Sequence, residues 1–268
     1  MSDFLATMAQ SSAERAARAG PISAAQLDKP VVPLQLGAFD VIAEIKDRSP
    51  AEGGLTTQGV GRATRARQYA EGGAAAISVL TEPSRFDGSL DHLEEVAAAV
   101  PDTPVMRKDF LVDPVQVLEA RRAGASGVLL IAAMLDDGQL RSMLDCAAEH
   151  GLFVLLESFD EEDLTRSSRL LENSGDRERA DAGRLLFGVN TRNLRTLHVD
   201  PDRLAKLAPA LPAGRCVAES GLHSPADAAN VAGLGYRMAL VGTALMRSED
   251  PAGLVAGMRA AGAAGVSV

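Results

Sequence analysis

The sequence predicts an eight-stranded α/β barrel, and three observations carry that prediction. Short, almost wholly apolar runs recur at residues 41–46, 74–81, 104–110, 127–135, 153–157, 186–192, 216–220 and 238–245. Their starts lie 33, 30, 23, 26, 33, 30 and 22 residues apart, and the intervening stretches read as polar loops followed by amphipathic helices. Runs that are apolar throughout, without alternation, fit strands buried on both faces. Eight strand–helix units with right-handed crossovers make an open sheet or a closed barrel. An open dinucleotide-binding sheet carries a Gly-rich fingerprint after its first strand. Here Lys46 is followed by Asp-Arg-Ser-Pro-Ala-Glu-Gly-Gly, so the closed (β/α)8 TIM barrel is preferred.

Residues 1–268 are expected to form a single domain, with 1–38 a helical N-terminal extension and 39–263 the barrel. Residues 2–20 mix apolar positions with Arg and Glu as a helix does, and either end of the barrel could receive that helix. Ser89 is a plausible N-cap with acidic residues in the turns that follow it. Asp113-Pro114, Asp200-Pro201 and Ser224-Pro225 place a cap before a proline at the first helical position. Gly72-Gly73, Gly124, Gly151 and Gly235 supply helix stops. Residues 162–185 break the rhythm with a charge-rich stretch, expected to be a solvated elaboration of the fifth helix or of the loop after it.

Composition removes several classes of function. At 268 residues, with 46 % hydrophobic and 24 % charged, the chain can bury a core without disulfides or metals. A formal charge of −9, no basic run and 3 % aromatics speak against nucleic acid as a partner. The nine-residue apolar run 127–135 falls far short of the ~20 residues of a membrane-spanning helix, and no secretory segment is visible. The chain is therefore expected to be cytoplasmic, without a membrane partner. Cys146 and Cys216 read as two reduced thiols. His92, His150, His198 and His223 show no ligand spacing, so neither metal nor cofactor is expected.

In this fold the active site forms at the C-terminal ends of the strands. The first strand ends Glu44-Ile-Lys46, the third Arg107-Lys-Asp-Phe110, the fifth Leu155-Leu-Glu157, the sixth Asn190-Thr-Arg192, the seventh Glu219-Ser-Gly221 and the eighth Val241-Gly-Thr243. Period-two alternation puts Glu44 and Lys46 on one face and Ile45 on the other. One charged strand end can simply reach solvent. Lys46, Lys108 and Arg192 together with Glu44, Glu157 and Glu219 instead suit proton transfer on an anionic substrate. Glycines after strands seven and eight let backbone N–H groups approach a phosphate, with a helix N-terminus behind it. A Cβ at Gly221 or Gly242 is expected to obstruct that phosphate and so to act on substrate affinity.

These strand ends, taken with Ser49-Pro50, Ile77-Ser-Val-Leu-Thr-Glu82, Phe86, Gly88-Ser89, Asp113-Pro114 and Leu129-Leu-Ile-Ala-Ala133, resemble the indole-3-glycerol phosphate synthase family of tryptophan biosynthesis. The resemblance runs through nearly all of residues 40–262 and includes Gly188-Val-Asn190, Ala218-Glu-Ser-Gly221, Val241-Gly242 and Leu245-Met246. It implies a carboxy-lyase that closes the indole ring of 1-(2-carboxyphenylamino)-1-deoxyribulose 5-phosphate with loss of CO₂ and water, by general acid–base catalysis without a cofactor. By motif match Lys108 is the principal acid and Glu157 the base of dehydration. Lys46 serves as cation or second acid near the substrate carboxylate. Glu44, Asn190, Arg192, Glu219 and Ser220 orient substrate and lysines, with Ser49 in the first loop counted among the binding residues. Gly221, Gly242 and Thr243 hold phosphate, and Phe86, Phe110, Ile131 and Leu194 wall the anthranilate ring. The family is often monomeric, so a monomer acting on a phosphorylated small molecule is expected.

Two readings compete. Phosphoribosylanthranilate isomerase, a sister barrel, uses a Cys at the end of strand one and an Asp at the end of strand six, where Glu44/Lys46 and Asn190 stand here. A non-catalytic or divergent phosphate-binding paralogue would suit the departures from the family pattern. These are Ala51 and Glu52 in place of Ser and Lys, Ser158-Phe159 after Glu157, Thr191 and Asn193 flanking Arg192, and the insertion at 167–184. Glu52 sets a negative charge beside a substrate bearing phosphate and carboxylate, and a Debye length of about 8 Å screens it only partly. Glu52→Lys should therefore tighten substrate binding, more at low salt than at high salt. A weaker or salt-independent response would place this loop away from the ligand.

Overall fold

The computed structural model describes residues 4–49, 53–55, 60–192, 194 and 199–266, with Ser49 described by its backbone. Ala51, Glu52, Asn193 and His198 lie outside the described residues. Eight parallel strands close a barrel: β1 (Asp40–Ile45), β2 (Ala76–Leu80), β3 (Val105–Lys108), β4 (Gly127–Ile131), β5 (Phe153–Ser158), β6 (Leu185–Asn190), β7 (Cys216–Glu219) and β8 (Met238–Val241). Closure comes from β8 against β1, in the register Asp40 to Met238 through Ala43 to Val241. A two-residue hairpin, Arg48–Ser49 against Gly53–Gly54, follows β1 and was not foreseen.

Alternation along each strand sorts its side chains between two cores. Val41, Ala43 and Ile45 face the surrounding helices, as do Ile77, Val79, Val128, Leu130, Val154 and Leu156. Ile42, Ala76, Met106, Leu129, Leu155, Leu186, Val217 and Leu240 fill the barrel interior. Further toward the mouth the inward positions include Glu44, Lys108, Glu157, Asn190 and Glu219. The barrel is thus apolar through its depth and charged at one end.

Capping follows the sequence at most helices. The Ser89 side chain accepts from the His92 backbone N–H, the Asp113 side chain from that of Val115, and the Ser224 side chain from that of Asp227. Gly73, Gly124, Gly151 and Gly235 take positive φ at the chain reversals. Asp200-Pro201 departs from expectation. The helix there begins at Arg203, and the Asp200 carboxylate accepts the Asp202 N–H within the preceding turn.

The charge-rich stretch is built into the wall more firmly than a solvated elaboration. It forms Glu161–Arg169, a 3-10 turn, and an additional helix, Ser174–Asp181. Asp176 is fully buried, with Arg141 and Arg179 on its carboxylate. Charge density alone does not distinguish a solvated face from an ion pair folded inward.

The N-terminal helix, α1 (Phe4–Ala17), lies at the mouth rather than the bottom. Its Leu5 and Met8 join the interior cluster, and the Phe4 ring meets Phe110 edge-on at 5.8 Å. Arg15 grips Asp109 through two hydrogen bonds of 2.9 and 2.8 Å, and the Gln116 amide donates to Ser12 Oγ at 2.9 Å. The connecting segment returns along the outside, where Lys29 pairs with Glu94 and the Val32 N–H donates to Ser126 Oγ.

Candidate active site

At the mouth, Glu44 occupies the inward position after Ile42 and is 3 % exposed. Lys46 Nζ stands 2.8 Å from its Oε1 and Lys108 Nζ 3.2 Å from its Oε2, so one carboxylate spans two ammonium groups on separate strands. Burial alone would raise the Glu44 carboxyl, but Lys108 and Lys46 outweigh it and hold it down to about 2. That difference corresponds to roughly 3 kcal/mol in favour of the ionised form. Burial likewise works against the Lys108 ammonium, yet Glu44, with Glu157 beyond it, raises Lys108 above the ordinary lysine range. Lys108 is therefore a cation at neutral pH and able to donate a proton.

Across the barrel, Glu157 Oε1 accepts from Asn190 Nδ2 at 3.1 Å. The other end of that amide, Asn190 Oδ1, accepts from Ser220 Oγ at 2.8 Å and from the Arg192 backbone N–H at 2.9 Å. These bonds fix which way the amide faces, so its NH₂ must point at the carboxylate. Ser220 and Gly221 sit at φ of 67° and 77°, successive left-handed residues. Such a conformation costs a serine roughly 1 kcal/mol or more, and the bond from its hydroxyl to Asn190 helps to hold it.

Asp109 organises the third strand end. Its carboxylate takes bonds from Arg15, Thr81 Oγ1 (2.8 Å), Arg107 Nη2 (3.0 Å) and the Phe110 N–H (2.8 Å). Burial would raise this carboxyl, but Arg15 and Arg107 hold it down to about 2. Lys108 on one side and Phe110 on the other are thereby fixed.

A cavity of about 420 Å³ opens between these groups. Its lining brings together Glu44, Lys46, Lys108, Glu157, Asn190, Arg192, Ser220, Gly221, Gly242 and Thr243 with the apolar Phe86, Phe110, Ile131 and Leu194. One of the expected residues stands apart. Glu219, 1 % exposed, is buried outside the cavity's lining, between its register partners Asn190 and Leu240, which are both in it. Ser49 is placed through its backbone alone, paired with Gly53. Phe4, Asp109 and His223 also border the cavity and were missed by sequence reasoning. The apolar spacing of Phe4, Leu5 and Met8 carried a signal for Phe4, since it marks a face that must be buried somewhere. His223, expected in a surface or capping role, stands at the exposed rim, where its backbone N–H donates to Asp227.

The lining of this cavity combines apolar side chains suited to an aromatic ring, charged groups capable of proton transfer, and glycine-bearing turns. Comparisons with known proteins agree on what such a chain is like. The family profile described as indole-3-glycerol phosphate synthase matches residues 32–258. The curated indole-3-glycerol phosphate synthase of Nocardioides is 48 % identical over 235 residues, covering 86 % of this chain and 85 % of its own. That of Parafrankia is 47 % identical over 230 residues, covering 85 % and 81 %. Among solved structures, 3-hexulose-6-phosphate synthase from Salmonella typhimurium superposes with a TM-score of 0.62 at 19 % identity, over 84 % of this chain and 98 % of that one. At that identity the likeness is one of fold.

Gly242 is constrained by its protein neighbours, quite apart from the phosphate expected beside it. A Cβ there would overlap Glu44 Oε1 and come within 2.9 Å of Lys46 Nζ. Gly242→Val should therefore lower kcat for indole formation at least tenfold as well as raise KM. A raised KM with kcat intact would show that the added side chain disturbs only the bound anion.

Proposed function

The chain belongs to the indole-3-glycerol phosphate synthase family, a carboxy-lyase of tryptophan biosynthesis acting on a phosphorylated substrate, and from that premise we propose how its own residues divide the reaction. The substrate, 1-(2-carboxyphenylamino)-1-deoxyribulose 5-phosphate, lies with its ring among Phe86, Phe110, Ile131 and Leu194. Its phosphate meets the backbone at Gly221, Gly242 and Thr243. The observation that carries the assignment is the one Glu44 carboxylate set between Lys46 and Lys108, on the wall opposite Glu157.

Ring closure begins when the ring carbon bearing the carboxylate attacks the ribulose carbonyl. Lys108 protonates the carbonyl oxygen as negative charge develops there. The carbon–carboxylate bond then breaks, its electrons restore the aromatic ring, and CO₂ leaves. Dehydration removes a hydroxyl as water while a base takes a proton, a step assigned to Glu157 oriented by Asn190. Lys46 neutralises the substrate carboxylate before its loss and supports the leaving hydroxyl. Ser220 and Arg192 act around Asn190, keeping the amide turned toward Glu157. A second reading has its own observation: at 2.8 Å, Glu44 and Lys46 could form the base–acid pair of dehydration. The enzyme is further proposed to be a cytoplasmic monomer, which sedimentation at micromolar concentration would check.

Single-turnover kinetics that follow CO₂ and indole absorbance separately test the assignment. Lys108→Met should delay both signals together, by on the order of 10²–10⁴-fold. Glu157→Gln should release CO₂ before indole appears. If Glu44→Gln produces that separation and Glu157→Gln does not, the base is Glu44. Wild-type rates in Lys108→Met would refute Lys108 as the acid.

A further inference from the structure

Of the three carboxylates at the mouth, Glu44 has two lysines and Glu157 has the Asn190 amide, whereas Glu219 has neither. With every carboxyl ionised, both Glu219 oxygens are buried without a hydrogen-bond donor. A buried anion left in that state is strongly unfavourable. The fold nevertheless keeps a place for this carboxyl: a Cβ at Gly188 on β6 would overlap Glu219 Oε1. The charged groups that face it are Glu157 from β5, Lys108 from β3 and Glu44 from β1. On the flanking strands its register partners, Asn190 and Leu240, carry no charge. Burial, and next to it the Glu157 carboxylate, push Glu219 well above the usual carboxylate range, with Lys108 opposing.

We infer that Glu219 is held as a neutral acid and donates its proton in a hydrogen bond to Glu157, which makes it a positioning residue for that base. Two carboxyl groups in such contact cannot both ionise without large repulsion, so one keeps a proton. The proton belongs on Glu219, because Glu157 already accepts a bond from Asn190 that favours its anion. Glu157 is then bonded from two sides, fixed in orientation and kept ionised although it is buried. Charge balance supports the same state. Glu44 and Glu157 offset Lys46 and Lys108, whereas an ionised Glu219 would add negative charge near a substrate that already carries carboxylate and phosphate. Above its raised pKa Glu219 loses the proton, Glu157 loses its donor, and kcat falls on the alkaline side.

The inference rests on Glu157 as base, and infrared spectroscopy separates the two. The unliganded protein at neutral pH should show a protonated-carboxyl C=O band that shifts in deuterium oxide, disappears at alkaline pH and is absent from Glu219→Gln. Glu219→Gln keeps a donor without a titrating proton, so it should lower kcat less than tenfold and flatten the alkaline limb. Glu219→Ala removes the donor and should lower kcat by about 10²-fold with KM changed little. Absence of the band from the wild-type protein would overturn the inference even if turnover is normal or a variant fails to fold. A Gln variant as impaired as the Ala variant would overturn it as well. The band with unaltered kcat in both variants would overturn the positioning role, and the band in a protein that forms no indole would count against the activity and not against the acid.

Discussion

Glu44 stays ionised at the buried barrel mouth because two ammonium groups touch it, and Lys108 stays charged in turn because Glu44 touches it. Removing Glu44 would leave two ammonium groups at the mouth without the carboxylate they share, a change that commonly costs several kcal/mol. The triad ties β1 to β3 through side chains although β2 lies between them. It also determines what the neighbouring residues can be. A Cβ at Gly242 would displace the side-chain ends of the Glu44–Lys46 pair, which occupy that space. Glu157 and Glu219 are left to share whatever donors remain, and Asn190 supplies one.

Around this centre, structure and chemistry draw on the same hydrogen bonds. Asp109 collects Arg15 from α1, Thr81 from the end of β2 and Arg107 from its own strand, which fixes the backbone between Lys108 and Phe110. Phe110 is in turn the surface on which Phe4 and Phe86 rest, at 5.8 and 6.2 Å. The helix outside the barrel repeat is thus joined to the end of β3 by an ion pair and by an aromatic contact. Its position over the mouth removes water from one side of the cavity, which strengthens the electrostatic interactions inside.

The barrel and most of the site were legible because both depend on local pattern. Inward and outward residues alternate along each strand, so Glu44 and Lys46 could be placed together from their spacing, and Lys108, Glu157 and Asn190 from being strand ends. What sequence could not supply were distances across the barrel. Nothing local says that Glu44 reaches Lys108, that Glu219 is buried outside the cavity's lining, or that Asp176 turns inward. The amphipathic spacing in α1 showed that a face must be buried but not against what, so Phe4 escaped notice. Asp200-Pro201 has the signature of a helix start, yet the chain makes a turn first and begins the helix at Arg203.

The central claim is that Glu44 holds Lys108 as a cation at the mouth of the barrel. The sequence has four lysines, so ¹³C labelling of lysine side chains gives a spectrum simple enough to assign by substitution. In the unliganded wild-type protein the Lys108 Cε resonance should keep its ammonium position through 10.5, the ordinary lysine value, and in Glu44→Gln its titration should move to lower pH. Titration of Lys108 at or below the ordinary value in the wild-type protein, unchanged in Glu44→Gln, would contradict the account.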